Sequence, residues 1–80
     1  MHKSEIDLTT FVLSVSAAAY MGLGEPEVNL ELAKHNIDLL DLLWRKTVGN
    51  RTPDEERLLS QLLLETRMRY VELQKKLQKG

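Results

Sequence analysis

Apolar residues recur at helical spacing in three stretches of the chain, and short polar segments separate the stretches. The pattern predicts helices over 8–21, 30–48 and 53–78. Asp7 and Asn29 are suitable N-caps for the first two helices, and Gly22 or Gly24 is expected to end the first. The predicted fold is all-α, with a single small domain over 1–80.

The segment between the second and third helices combines a stop signal with a start signal. Gly49 can take the left-handed conformation that closes a helix C-terminus. Thr52 and Glu55 have the spacing of a capping box, and Pro53 suits the first helical position. One helix therefore ends and the next begins within a few residues, which predicts a central antiparallel helical hairpin.

The predicted core faces are defined by helical spacing. On the first helix the face comprises Leu8, Phe11, Val12, Val15 and Ala19. On the third it comprises Leu59, Leu62, Leu63, Thr66, Tyr70, Leu73 and Leu77. The third helix is longer than the second, so Leu73 and Leu77 are expected to lack an intrachain neighbour unless the first helix reaches them. Asn36 lies near the centre of the apolar arc of the second helix, and two interpretations stay open. It bonds a nearby backbone group, which we favour, or it sets the register of an intermolecular seam.

The three helices carry more apolar surface than three helices can bury among themselves. The first has no charged residue on any side, and the second has an apolar arc about twice as wide as a coiled-coil seam. We expect a homodimer or a higher even oligomer, in which helices of both chains form one intermolecular bundle. The candidate interface residues are small residues of the first helix and a separate apolar stripe of the third: Thr10, Ser14, Ala17, Ala18, Leu64, Met68 and Val71.

Charge is unevenly distributed although the net charge is only −1. Residues 1–66 hold six Lys/Arg against eleven Asp/Glu, whereas residues 67–80 hold five against one. The cations at the C-terminal end are Arg67, Arg69, Lys75, Lys76 and Lys79. They are candidate nucleic-acid contacts, but the helix dipole alone also favours cations at a helix C-terminus.

Few residues indicate catalysis or a cofactor. Glu31, His35 and Asp38 share one helical face and are weak metal-ligand candidates. The same positions form ordinary solvated pairs along a helix, so no metal and no cofactor are expected. The serines have no evident His–acid partners, and we expect no enzymatic activity.

The uncharged run from Leu8 to Gly24 resembles a membrane segment or an export signal at first sight. It is too short and too polar to span a bilayer, and Glu5 and Asp7 oppose the positive region of a secretory signal. The absence of cysteine excludes disulfides and thiolate metal sites and fits a reducing compartment. We therefore expect a cytoplasmic location and no membrane partner.

The segment Ile37 to Leu59, with its K-T-V-G-N-R-T-P-D-E-E core, resembles the bacterial domain-of-unknown-function 1844 family. Further similar positions are Phe11, Val15, Ala19, Leu23 and Gly24, the Leu32–Ala33 pair, and the region from Leu64 to Tyr70. The resemblance covers nearly the whole chain and implies a small, helical, cytoplasmic bacterial protein. It carries over no activity and no catalytic residues. Arg51 stands where the family usually has an apolar residue, and this departure is expected to expose the hairpin tip.

Taken together, these patterns favour a non-enzymatic, oligomeric helical module for protein–protein interaction. Two alternatives remain: an RNA- or ribosome-associated accessory protein using the basic C-terminal helix, and a metal-binding helical protein. A polar recognition corner is also predicted beside the hairpin, where capping does not explain the residue choice. Its candidate residues are Trp44, Lys46, Asn50, Arg51 and Arg57.

Overall fold

Three helices account for nearly all of the computed structural model, which describes residues 7–79. They are α1 (Leu8–Leu23), α2 (Leu30–Lys46) and α3 (Pro53–Lys79). No strand occurs within residues 7–79, so the all-α prediction is confirmed. α1 continues two residues beyond its predicted end because Gly22 stays helical and Gly24, with extended backbone, terminates it.

Side chains cap the N-termini of α1 and α2 as the sequence predicts. The Thr10 backbone N–H donates to Asp7 Oδ1 at 2.8 Å, and the Leu32 N–H donates to Asn29 Oδ1 at 3.0 Å. Each bond satisfies one of the backbone donors that a first helical turn leaves without an intrahelical partner. The beginnings of both helices are thus fixed by local chemistry.

The hairpin turn between α2 and α3 also follows its sequence signals. Gly49 has a φ of 83°, the left-handed conformation that glycine adopts without a Cβ clash. The Thr52 N–H donates to Glu55 Oε1 at 2.8 Å, and the Glu55 N–H donates to Thr52 Oγ1 at 3.1 Å. This reciprocal capping box starts α3 and confirms the predicted helical hairpin.

The core lies where all three helices meet, and α1 packs more extensively on α2 than on α3. Its main cluster contains Val12, Val15, Ala19, Ile37, Leu40, Leu59 and Leu63. A smaller cluster joins the end of α1 to the start of α2 and the C-terminal half of α3, and contains Leu23, Ala33 and Leu73. The first helix therefore does reach Leu73, because α1 extends to Leu23. Leu77 remains 53% exposed.

The structure corrects the predicted core face of α1 at Phe11, which is 45% exposed. The buried side of the helix is centred on Val12, Val15 and Ala19, and it continues to Leu23. Phe11 lies at the edge of this arc because helical spacing rotates it well away from the centre. A large aromatic ring therefore joins the outer surface of α1.

Close contact between α1 and the beginning of α2 depends on Gly22. The Asn29 N–H donates to the Gly22 carbonyl oxygen at 2.8 Å. A Cβ at Gly22 would lie 2.7 Å from both the Ala33 backbone nitrogen and the Asn29 carbonyl oxygen. The absence of a side chain at Gly22 is thus a condition for this helix crossing.

The buried polar side chains of the core bond to backbone carbonyls of their own helices. Asn36 is 7% exposed, and its Nδ2 donates to the Leu32 carbonyl oxygen at 2.9 Å. Thr66 is fully buried, and its hydroxyl donates to the Leu62 carbonyl oxygen at 2.7 Å. The favoured interpretation of Asn36, a core amide with a backbone partner, agrees with this geometry.

Candidate protein-interaction site

The outer side of α3 presents the apolar stripe of Leu64, Met68 and Val71. These side chains are 62%, 55% and 45% exposed, and they lie opposite the side that carries Leu59 and Leu63 into the core. Two shallow surface depressions meet at Met68. One extends along Leu58, Gln61, Leu62, Leu64 and Glu65, and the other along Arg67, Val71 and Glu72. The stripe is therefore a continuous apolar surface with charged edges.

The outer side of α1 is a second uncharged surface. Thr10, Ser14 and Ala17 are exposed, and Ala18 is half-buried, as the small-residue face predicts. Sequence reasoning missed the larger side chains that share this surface, Leu13 at 48% and Met21 at 72% exposure. Helical spacing places Leu13 and Met21 on the side of α1 opposite Val15 and Ala19, and this could have predicted their exposure.

The surfaces of α1 and α3 point in different directions. Each helix turns its buried side towards the shared core, so the outer sides of α1 and α3 face away from each other. A single twofold contact between two copies presents one patch to its own image. The two surfaces can therefore form two separate contacts, although the sequence pattern groups them as one interface.

Arg51 is an internal part of the hairpin, although the tip residues Val48, Gly49 and Asn50 are exposed. Its side chain is only 6% exposed, and the guanidinium carbon lies 3.9 Å from the centroid of the Trp44 ring. Nη1 donates to the Trp44 carbonyl oxygen at 2.6 Å and to Thr47 Oγ1 at 3.0 Å. Nε lies 3.6 Å from Glu56 Oε1. Arg51 thus connects the free carbonyl end of α2 to the beginning of α3. Little of the Arg51 side chain remains exposed to contact a partner.

The other corner residues remain at the surface. Lys46 and Asn50 are exposed, and Arg57 donates to Asp54 Oδ1 at 3.1 Å in a largely solvated ion pair. Arg51, Pro53, Glu56, Arg57 and Ser60 line a shallow depression beside the turn. The structure therefore brings Arg51 and Arg57 to one depression, whereas Lys46 and Asn50 are not part of its lining.

Intrachain ion pairs hold two of the cations proposed for nucleic acid. Arg67 Nη2 lies 2.7 Å from Asp41 Oδ1, and Lys76 Nζ lies 2.8 Å from Glu25 Oε2. Hydrogen bonds from Arg45 and Arg67 lower the pKa of Asp41, and the bond from Lys76 lowers the pKa of Glu25. The basic end of α3 thus lies against acidic positions of the body, which accounts for part of the charge asymmetry. Arg69 and Lys75 are exposed, and the side chain of Lys79 lies outside the described part of the chain.

A hydrogen bond between Tyr20 and Glu65 connects α1 to α3. The Tyr20 hydroxyl donates to Glu65 Oε1 at 2.5 Å. Burial of the phenol and this bond to the carboxylate raise the pKa of Tyr20 from 10.0 to about 12. Both effects favour the neutral phenol, which is the form that donates the bond.

The stability of the protein is expected to depend on Tyr20 at high pH. The folded-state pKa is above the unfolded one, so the contribution of the neutral phenol is fully present below pH 10 and is lost as the pH rises to about 12. We expect the melting temperature of the wild type to exceed that of Tyr20→Phe below pH 10, and the difference to shrink between pH 10 and 12. Thermal melts of both proteins over this range test the assignment. A difference that stays constant with pH would contradict it.

The structure gives no support to a metal site on α2. Glu31, His35 and Asp38 are all exposed, and Lys34 Nζ bonds Asp38 Oδ2 at 2.9 Å. Within residues 7–79, no group of three or more His, Asp or Glu side chains is placed to hold a metal ion. The face has the solvated pairing that its spacing permits.

Comparison with known proteins adds one finding. A family model described as "Domain of unknown function (DUF1844)" matches residues 5–72. No curated protein and no solved structure matches the chain. No helix in the described part of the chain is long and apolar enough to cross a membrane.

Proposed function

This chain belongs to the DUF1844 family, and we propose that it is a non-enzymatic helical module that self-associates and presents a surface to a protein partner. We place the module in the bacterial cytoplasm, as the family resemblance and the absence of cysteine suggest. In this proposal the copies associate with one another, and a surface that stays free after association binds the protein partner.

The observation that carries this proposal is the apolar outer side of α3, supported by the uncharged outer side of α1. Monomeric soluble proteins rarely keep contiguous large apolar patches in water, and such patches mark interaction sites. Here Leu64, Met68 and Val71 are solvent-facing on a helix whose opposite side already supplies the core. They are therefore surplus to intrachain packing.

The size of the chain supports self-association as well. A domain of 80 residues buries only about two thirds of the surface of its unfolded chain, so its own core provides little stability. Covering apolar surface with a second copy adds stability without lengthening the chain. Because the surfaces on α1 and α3 point in different directions, one can serve self-association and leave the other for a partner.

The alternative of RNA or ribosome association is weaker than the interaction module. Neutralised phosphates determine the strength of such binding, and it therefore needs several free cations. Arg67 and Lys76 are held in intrachain pairs with Asp41 and Glu25. Arg69 and Lys75 remain exposed, but an exposed pair of cations is typical of any soluble helix.

The substitution Met68→Glu tests the proposal because it places a charge at the centre of the α3 stripe. Met68 is 55% exposed, so a folded monomer should keep its helicity, whereas a buried, unpaired carboxylate would prevent association. We expect the variant to sediment as a monomer.

Val48→Glu is the matched control, since Val48 is 65% exposed and lies in the hairpin turn away from the stripe. It should retain the mass of the wild type. If Met68→Glu kept the mass of the wild type too, the α3 stripe would not be the self-association surface. Capture of ribosomal material that survives Met68→Glu but is lost on charge reversal at Arg69 and Lys75 would favour the RNA alternative.

A further inference from the structure

The outer side of α3 has the spacing of a coiled-coil seam. Gln61, Leu64, Met68, Val71 and Lys75 follow one another at alternating intervals of three and four residues. This is the a/d pattern of a heptad repeat, with Met68 at an a position and Leu64 and Val71 at d positions. The three central positions are apolar and solvent-facing, so the seam can receive another helix of the same kind.

Charged residues flank the seam at the positions that determine helix orientation. Arg67 takes a g position, and Glu65 and Glu72 take e positions, when Met68 is assigned to a. Arg67 and Glu72 line the same depression as Met68 and Val71, so the structure places them at the borders of the apolar surface. Their charges are therefore close enough to a docked helix to influence its orientation.

The two orientations of a second α3 have opposite electrostatic consequences at these flanking positions. In a parallel pair, g of one helix faces e of the following heptad in the other, so Arg67 meets Glu72 of the second copy twice by symmetry. In an antiparallel pair, e faces e and g faces g. That arrangement places Glu65 near Glu72 of the second copy and the two Arg67 side chains near each other. The flanking charges favour the parallel pair.

The present contacts of these side chains leave them available for such a pairing. Arg67 bonds Asp41 through Nη2 while its side chain stays 53% exposed. Glu72 is exposed and makes no ion pair with any described side chain. An arginine with two outer nitrogens can bind two carboxylates at once. Association therefore does not require the Arg67–Asp41 pair to break.

We infer that a second copy of this chain covers the seam with its own α3 in parallel orientation, and that two reciprocal Arg67–Glu72 ion pairs select that orientation. The inference rests on the proposed self-association and specifies its surface and geometry. Gln61 and Lys75 occupy the a positions on either side of Met68 and limit the apolar seam to its centre. Polar residues at a positions fix register and oligomeric state at a cost in stability, which fits a reversible dimer.

Charge reversal of the intact chain tests the orientation directly. Glu72→Arg replaces the attraction by repulsion from Arg67 in a parallel dimer, and we expect dimerisation to weaken roughly tenfold. In an antiparallel dimer the same change would place the new guanidinium near Glu65 of the second copy and strengthen association. Arg67→Glu is also expected to weaken a parallel dimer. Because it also removes the pair with Asp41, its helicity and melting are compared with those of Glu72→Arg.

Mixing the two single variants gives the sharpest readout. If the helices are parallel, a heterodimer of an Arg67→Glu chain with a Glu72→Arg chain has opposite charges at both g–e contacts. In detail, the new carboxylate at position 67 of one chain faces the new guanidinium at position 72 of the other, and the second contact keeps the native Arg67–Glu72 pair. Mixing should therefore restore wild-type dimerisation.

Glu27→Arg is the control for net charge, since it makes an equal charge change in the exposed α1–α2 loop. It should leave dimerisation unaltered. Dimerisation constants come from light scattering over a roughly hundredfold concentration range.

The possible failures of this inference and of the proposed function are distinguishable. A wild-type dimer that Glu72→Arg strengthens or leaves unchanged would overturn the parallel α3 seam while self-association stands. A dimer that is dissolved by Ala17→Glu on α1, but not by the α3 variants, would do the same. A wild type that stays monomeric at every concentration would contradict the proposed self-association itself.

Discussion

Replacing Gly22 with alanine is expected to destabilise the protein by about 2 kcal/mol and to lower its melting temperature by roughly 10 °C. The new Cβ would lie 2.7 Å from two backbone atoms of the α2 N-terminus, the nitrogen of Ala33 and the carbonyl oxygen of Asn29. Backbone cannot rotate away as a flexible side chain can, so α1 and α2 must move apart. That separation would also loosen the cluster of Leu23, Ala33 and Leu73.

Gly24→Ala is the matched control for this prediction. Gly24 is two residues further along, and a Cβ there would lie no closer than 3.6 Å to its nearest neighbours, the carbonyl oxygens of Tyr20 and Met21. Its backbone is extended, with a φ of −79°, which alanine adopts freely. Thermal melts should show a small change for Gly24→Ala and a large one for Gly22→Ala. Equal changes would mean that the close helix crossing does not limit stability.

Arg51→Ala is expected to cost about 2 kcal/mol, a decrease in melting temperature of roughly 10 °C. Alanine removes the stacking on Trp44 and leaves the Trp44 carbonyl oxygen and the Thr47 hydroxyl without their shared donor. Arg51→Lys should recover only part of the loss, because one ammonium cannot reproduce the planar fork that stacks and donates at the same time.

The control is Arg57→Ala, in the same depression but on the solvent side. The ion pair of Arg57 with Asp54 is largely exposed, and such pairs contribute less than about 1 kcal/mol. Thermal melts should therefore show a much larger decrease in melting temperature for Arg51→Ala than for Arg57→Ala. If both substitutions changed the melting temperature by the same small amount, Arg51 would not be the clamp between α2 and α3 that its contacts indicate.

The parts of the fold that depend on neighbouring residues in sequence could be predicted. The capping box of Thr52 and Glu55, the left-handed Gly49 and the N-caps at Asp7 and Asn29 are all local arrangements. In each, the residue type and its spacing determine the hydrogen bond. Hence the helix number, the helix starts and the hairpin agree with expectation.

The errors concern residues whose position depends on distant parts of the chain. The sequence places Arg51 at an exposed tip, yet it lies against Trp44, a residue seven positions away on the preceding helix. The sequence leaves open whether the first helix reaches Leu73, and Leu73 packs with Leu23 of that helix and with Ala33. Phe11 has the spacing of a core residue and is exposed. Helical spacing gives the face of a residue but not which faces meet.

The candidate interaction surface could be predicted only in part. Its members on α3 could be read from helical spacing, because three apolar residues align on an otherwise polar side. The ion pairs of Arg67 with Asp41 and of Lys76 with Glu25 could not be predicted from the sequence, because each joins distant segments of the chain. These pairs are what weakens the nucleic-acid hypothesis.

The molar mass of the intact wild-type chain in solution tests the central claim most directly. One chain has a mass of 9.2 kDa. Self-association through the outer side of α3 predicts a mass that rises with concentration towards about 18 kDa, the mass of two chains, in light scattering. A mass that stays at that of one chain throughout a roughly hundredfold range of concentration would contradict the account.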